Sequence, residues 1–151
     1  YFEGIAQSSH PGAGRATNSG VAYYGADGKR WVDNTEAAYG ATFGTSDIIS
    51  IAMDLDNDNV YFAKNGTWQN SGDPTSGATG TGALSTDPVG DYFVMTMNML
   101  YNPTTHFMNY GGYTTISISS AAADANGYGT FEFAPPTGFY ALCTKNLAEY
   151  G

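Results

Sequence analysis

Positive charge is scarce in this sequence. Five Lys and Arg residues stand against fourteen Asp and Glu residues, for a net charge of −9. A chain with this balance is repelled by phosphate backbones and anionic membranes, so we expect neither nucleic-acid binding nor membrane insertion. Charged residues of both signs make up only 13% of the chain. Such a composition, beside abundant Ser, Thr, Asn and Tyr, is typical of an extracellular or particle-surface β protein.

The sequence also lacks cysteine pairs and long apolar runs. Cys143 is the only cysteine, so no internal disulfide framework is possible. Its place in the apolar stretch 139–143 predicts a small buried residue. No apolar segment approaches the roughly 18 residues that a membrane-spanning helix needs. With 151 residues, the chain is long enough to bury a core without disulfides or metal.

Patterns for catalysis are missing as well. His10 and His106 have no recognisable partner motif, and two His with one Cys are too few ligands for a structural zinc site. A glycosidase needs two carboxyl groups about 5 to 10 Å apart. Asp54 and Asp56 share a strand face, but none of the Glu residues has an acid two positions further on. We therefore predict no catalytic residues and no cofactor.

The acidic run Asp54, Asp56 and Asp58 invites comparison with a calcium-binding loop. An EF-hand loop requires Gly at its sixth position and Glu at its twelfth. Counted from Asp54, those positions hold Asn59 and Asn65. The motif therefore fails, and a solvent-exposed turn explains the same residues, so we predict no metal site.

The most informative segment is 47–68, which predicts a β-hairpin. Apolar residues recur at every second position, at Ile49, Ile51, Met53 and Leu55. This period places them on one face of a strand. Residues 57–59 favour a chain reversal, 60–64 read as the returning strand, and Asn65-Gly66 predicts a second tight turn. We expect Ile49, Ile51, Met53 and Phe62 to be buried between two sheets.

Further short strands are predicted on both sides of this hairpin. They lie at 21–24, 30–32, 92–100, 106–110, 114–119, 130–133 and 139–144. Segments 12–20 and 69–88 are rich in Gly, Pro, Ser and Thr and read as surface loops. No amphipathic helical pattern of useful length is present. Many short strands separated by turn signals favour a β-sandwich.

The same segments resemble the SPRY domain family. Asp47-Ile48-Ile49, Asp54-Leu55-Asp56 and Lys64-Asn65-Gly66 fit the order and spacing of its central hairpin. Tyr23-Tyr24-Gly25 is similar to its aromatic region, and Asn109-Tyr110-Gly111 to a later motif. The ending 133–147 is similar to the tail of SPRY-like modules in bacteriophage virion proteins. Together these likenesses cover roughly residues 20 to 147.

The resemblance implies an all-β fold, an antiparallel sandwich of the SPRY, concanavalin A-like jelly-roll kind. We expect one domain over 1–151. Its N-terminal strand is expected to be truncated or contracted, because Tyr1-Phe2-Glu3 directly abuts Gly4-Ile5-Ala6.

Members of this family bind ligands through loops at one end of the sandwich and are not catalysts. Aromatic faces beside Asn and Asp are suited to stacking and hydrogen bonding with sugar rings. Trp and Tyr at strand ends are also frequent packing residues, so that alternative stays open. The candidate ligand-binding residues, at or beside predicted loops, are Trp68, Trp31, Tyr24, Tyr101 and His106.

The function expected from these features is a non-catalytic virion surface module, in a tail fibre, spike or capsid appendage. It would recognise a host-surface glycan or protein, with other virion proteins as partners and homo-oligomers in the assembled particle. The main alternative is a purely architectural decoration domain. A polysaccharide-degrading enzyme and a cellular adaptor that binds short peptides are less favoured.

Overall fold

The computed structural model describes residues 2–7, 20–85, 93–98, 107–112 and 117–150, and for 2–7, 93–98 and 150 the backbone alone. Two compact units divide the chain, residues 1–103 and 104–151. Each unit is described by itself, and the single domain expected over 1–151 stays a prediction. The predicted loop 12–20 lies outside the described residues except for Gly20.

The first unit contains a five-stranded antiparallel sheet. Its strands are β1 (Phe2–Gln7), β2 (Val21–Tyr24), β3 (Lys29–Val32), β4 (Thr35–Ala38) and β9 (Phe93–Asn98), in the order β4-β3-β2-β1-β9. The six-residue β1 pairs with both β2 and β9, in the interior of the sheet. The N-terminal strand is thus present with six residues, and its predicted truncation or contraction relative to the family stays a prediction.

A second antiparallel sheet is built around the central hairpin. It consists of β5 (Ile49–Asp54), β6 (Asn59–Lys64), β7 (Thr67–Trp68) and β8 (Leu84–Ser85), with β6 pairing with each of the other three. Ile51 lies opposite Phe62, and Asn65 and Gly66 adopt φ of 48° and 80° in the following turn. The predicted hairpin and its second turn are confirmed.

The two sheets pack face to face through one apolar cluster. Val21 and Tyr23 enter it from β2, and Val60 and Phe62 enter it from β6. Phe62 has no exposed surface, as predicted, whereas Ile49, Ile51 and Met53 are half-buried against the cluster. Leu55 is 61% exposed, because it lies beyond the end of β5 in the turn and not on its buried face.

The opposite face of β6 is buried too. Tyr61 and Ala63 alternate with the core residues and point to this second face, yet both are almost fully buried. The segment after β7 contains two short 3-10 segments, Gln69–Ser71 and Pro74–Thr79, and buries Gln69 and Pro74. The described part of the predicted surface loop 69–88 therefore lies mostly at the surface, with short 3-10 turns anchored by two buried side chains.

The second unit has little regular structure among its described residues. Ala122 and Phe131 form an isolated antiparallel bridge, and the helix α1 spans Thr144–Tyr150. The strands predicted at 130–133 and 139–144 are wrong, and the seven-residue α1 was not predicted. The described parts of 106–110 and 114–119 contain no strand either. Cys143 is half-buried and not buried.

A buried carboxylate explains why this region is irregular. Asp124 accepts hydrogen bonds from the backbone amides of Asn126, Tyr128 and Ala141, each at 2.9 Å, and from Asn146 Nδ2 at 2.7 Å. Desolvation raises the pKa of Asp124, but these hydrogen bonds outweigh it and leave the pKa below its usual value. Backbone groups that a strand would pair are satisfied here by one side chain. The described elements of the whole chain are still mostly antiparallel strands, which confirms the all-β class.

Candidate functional site

Two of the predicted ligand-binding residues come together on the outer face of the five-stranded sheet. Side chains alternate along β2, so Val21 and Tyr23 face the core while Ala22 and Tyr24 face outwards. Ala22 lies directly opposite Trp31 of β3. Tyr24 and Trp31 both pack against the buried Ala22 and remain half-exposed themselves. The small Ala22 side chain thus lets two large aromatic side chains converge above it.

An ion pair lies beside these aromatic side chains. Lys29 occupies the same face of β3 as Trp31, and Glu36 of β4 is directly opposite Trp31. Lys29 Nζ is 2.7 Å from Glu36 Oε1 and 3.7 Å from Asp27 Oδ2. The hydrogen bond to Glu36 raises the pKa of Lys29, so the ammonium stays charged over the physiological range. We define Tyr24, Trp31, Lys29 and Glu36 as the outer-face cluster.

The sequence did not predict β4, and therefore missed Lys29 and Glu36. Three of its four residues, Glu36, Ala37 and Ala38, have little intrinsic strand preference. The sequence signal that could have revealed β4 is the Asp33-Asn34 turn before it, in which the two residues adopt positive φ, of 46° and 60°. Counting outwards from this two-residue turn places Val32 opposite Thr35 and Trp31 opposite Glu36.

Trp68 belongs to a different surface. It pairs with Ala63 and packs edge-to-face on Tyr61, with ring centroids 6.5 Å apart and planes at 80°. This contact lies on the outer face of the second sheet, so the core separates Trp68 from Trp31. The two tryptophans cannot share one ligand site. Tyr101 and His106, the other predicted site residues, lie outside the described residues.

Loop 39–48, at one end of the sandwich, is held by polar contacts. The buried Gln69 accepts a hydrogen bond from the Ala41 amide at 2.8 Å, and its Nε2 donates to the Thr67 carbonyl at 2.7 Å. The Tyr23 hydroxyl donates to the Ala41 carbonyl, and Tyr39 accepts from the Phe62 amide at 3.2 Å. Burial raises the pKa of both tyrosines to about 12. These polar groups position the loop and are not free for a ligand.

The acidic turn of the central hairpin is organised by Asp54. Its Oδ1 accepts from the backbone amides of Asp56 and Asn57, each at 3.2 Å, and its Oδ2 accepts from Asn57 Nδ2 at 2.8 Å. These contacts are those of a side chain that caps a turn. In the described part of the chain, no three His, Cys, Asp or Glu side chains are placed to hold a metal ion.

Comparison with known proteins agrees with this architecture. The family model of the SPRY domain matches residues 4–85, more than half of the chain. The chain therefore belongs to the SPRY domain family, and the sandwich described above is its SPRY fold. No curated protein matches the chain. None of the described helices has the length and apolar character required to cross a membrane.

Proposed function

We propose that this chain is a non-catalytic recognition module of a virion surface, carried by a tail fibre, spike or capsid appendage. Its ligand would be a glycan or protein of the host surface. The observation that carries the proposal is the outer-face cluster, in which half-exposed Tyr24 and Trp31 converge beside the Lys29–Glu36 ion pair.

The chemistry of this cluster suits a sugar ring. Aromatic faces stack against the apolar faces of pyranose rings, while neighbouring charged groups donate and accept hydrogen bonds from adjacent hydroxyls. Lys29 and Glu36 supply one donor group and one acceptor group next to Trp31. The net charge of −9 disfavours acidic glycans, so a neutral glycan is the favoured ligand class.

The virion location rests on sequence features. The ending 133–147 is similar to modules of bacteriophage virion proteins, and the low content of charged residues is typical of particle-surface proteins. The overall affinity of such a module for a cell surface rises when several copies are present, because several weakly binding copies engage one surface together.

An architectural role is the second candidate function. The second unit exposes large apolar side chains, with Tyr140 at 55% and Leu142 at 61% of their surface. Apolar surface of this kind favours burial against another protein. In that case the second unit would pack on a neighbouring virion protein, and no soluble ligand would be expected.

A glycan array and a host-cell binding assay with a multimerised domain test the proposal. We expect binding to neutral glycans that is lost in Trp31→Ala and retained in Trp68→Ala, with circular dichroism confirming that both variants are folded. Lys29→Met and Glu36→Gln should weaken binding without abolishing it. Absence of binding by the multimer, together with protection of Leu142 in the assembled particle, would support the architectural role instead.

A further inference from the structure

The sequence contains two Asn-Gly pairs, Asn65-Gly66 and Asn126-Gly127, and in each the glycine has positive φ, at 80° and 77°. In such a pair the backbone nitrogen of the glycine can attack the side-chain carbonyl carbon of the asparagine. Glycine hinders this attack least, because it has no Cβ and its backbone is the most flexible. How firmly the fold restrains each asparagine therefore decides whether it reacts.

Asn65 is held on both sides of its amide. Its Nδ2 donates to Asp47 Oδ1 at 2.7 Å, and its Oδ1 accepts from the Ile48 amide at 2.8 Å. The first of these bonds goes to a carboxylate and is therefore of the stronger, charge-assisted kind. The side chain would have to break both bonds before its Cγ could turn towards the nitrogen of Gly66.

Asn126 is held more weakly. Among the described residues its side chain makes one hydrogen bond, from Nδ2 to the neutral Oδ1 of Asn146 at 3.0 Å. Gly127 is exposed, and a Cβ placed on it would meet no atom within 4 Å. Water can therefore reach this pair, and no neighbouring atom of the described chain blocks movement of its backbone. We infer that Asn126-Gly127 is a site of spontaneous deamidation, whereas Asn65-Gly66 is protected by the fold.

The reaction requires only water. The nitrogen of Gly127 gives up its hydrogen bond to the Asp124 carbonyl and bonds to Cγ of Asn126. The Cγ–Nδ2 bond then breaks, and ammonia leaves with the proton lost from the Gly127 nitrogen. A five-membered succinimide remains. Water adds to one of its two carbonyl carbons and opens the ring, which leaves aspartate or isoaspartate at position 126.

The product would disturb the buried centre of the second unit. A carboxylate at 126 cannot donate to Asn146 Oδ1, and it adds negative charge near Asp124. Asn146 cannot compensate by rotating its amide, because its Nδ2 already donates to Asp124 Oδ2 at 2.7 Å and to the Ala141 carbonyl at 2.9 Å. Because Asn146 lies in α1, deamidation would loosen that helix.

Peptide mapping by mass spectrometry of the full chain, aged in mildly alkaline buffer, tests the inference. We expect Asn126 to deamidate at least about tenfold faster than Asn65, equivalent to about 1.4 kcal/mol of additional restraint on Asn65. In denaturant the two rates should converge. The variant Asp47→Ala should accelerate Asn65 alone, and Asn126→Gln should remove the reaction at 126.

Equal rates at the two asparagines in the folded chain, or faster reaction at Asn65, would overturn the inference. Its structural consequence has a separate readout in hydrogen exchange. Asn126→Asp should speed exchange of the α1 amides, with Asn126→Gln as the uncharged control. Unchanged α1 exchange in Asn126→Asp would contradict the proposed coupling to Asn146.

Discussion

The side-chain amide of Asn65 donates a hydrogen bond to the Asp47 carboxylate at 2.7 Å, across the open end of the central hairpin. The same carboxylate accepts from the Gly44 amide at 2.9 Å and lies 3.2 Å from Lys64 Nζ. Lys64 also donates to the Thr42 carbonyl at 2.7 Å. Asp47 thus ties loop 39–48 to the second sheet. Asp47, Lys64 and Asn65, three of the residues through which the sequence resembles the SPRY family, make contacts that hold that loop.

These contacts predict an acid-sensitive loop. The hydrogen bond from Gly44, followed by those from Asn65 and Lys64, lowers the pKa of Asp47. A carboxyl group whose pKa falls on folding stabilises the fold above its unfolded value of about 3.9. That stabilisation is lost as the pH drops through the folded pKa. Thermal melts between neutral and acidic pH should show a shallower pH dependence in Asp47→Asn than in the wild type, and identical slopes would contradict this role.

The two buried tyrosines predict the opposite behaviour at high pH. Desolvation by burial raises the pKa of Tyr39 and of Tyr23 to about 12. The folded state therefore retains protons that the unfolded state loses above its pKa of about 10, so stability falls as the pH rises through this window. An ultraviolet titration should show at least two tyrosines ionising late, since Tyr23 and Tyr39 do so among the described residues, and Tyr39→Phe should remove one of them. Ionisation of all tyrosines near pH 10 in the folded protein would refute this prediction.

The core makes a prediction with an internal control. Phe62 is fully buried, and replacing it with Ala should cost about 3 to 5 kcal/mol of unfolding free energy. Leu55 precedes it by seven positions but is 61% exposed, and Leu55→Ala should change stability by no more than about 0.5 kcal/mol. The loss of unfolding free energy in Ile51→Ala should lie between these two values, because Ile51 is half-buried. Urea denaturation measures all three, and a large loss in Leu55→Ala would show that the turn is packed after all.

The acidic turn should not depend on metal. Because the Asp54 carboxylate already accepts three hydrogen bonds within the turn, a chelator should leave the melting temperature unchanged. Asp54→Ala should lower it, since three donors lose their acceptor. A melting temperature that falls on chelation and recovers with calcium would instead assign a cation to this turn.

Sequence periodicity predicted the central hairpin well, because Ile49 to Met53 alternate and Asn65-Gly66 favours one turn type. It did not predict β4, because Glu36 and two alanines have little strand preference, and the strand forms there through its pairing with β3. It also failed at 139–144, where the Ala141 amide donates to Asp124 instead of joining a sheet, and Tyr140 and Leu142 are exposed. Local pattern carries no information about which distant side chain will satisfy a backbone amide.

The candidate site was predicted only in part, for a similar reason. The sequence predicted Tyr24 and Trp31 as ligand-binding residues beside loops, but they meet on a sheet face, because β2 and β3 align Ala22 with Trp31. The sequence placed Trp68 beside the predicted surface loop 69–88. It packs instead on Tyr61, since the following residues fold back over β6. Strand register, which the sequence does not specify directly, separates the two tryptophans.

The most direct test of the recognition proposal uses these two tryptophans as separate fluorescent probes. Trp68→Phe leaves Trp31 as the only indole, and Trp31→Phe leaves Trp68. Titration with a neutral glycan that binds the multimerised wild type should change the emission of the Trp31-only protein and leave that of the Trp68-only protein constant. A response confined to the Trp68-only protein, or equal in both, would contradict binding at the outer-face cluster.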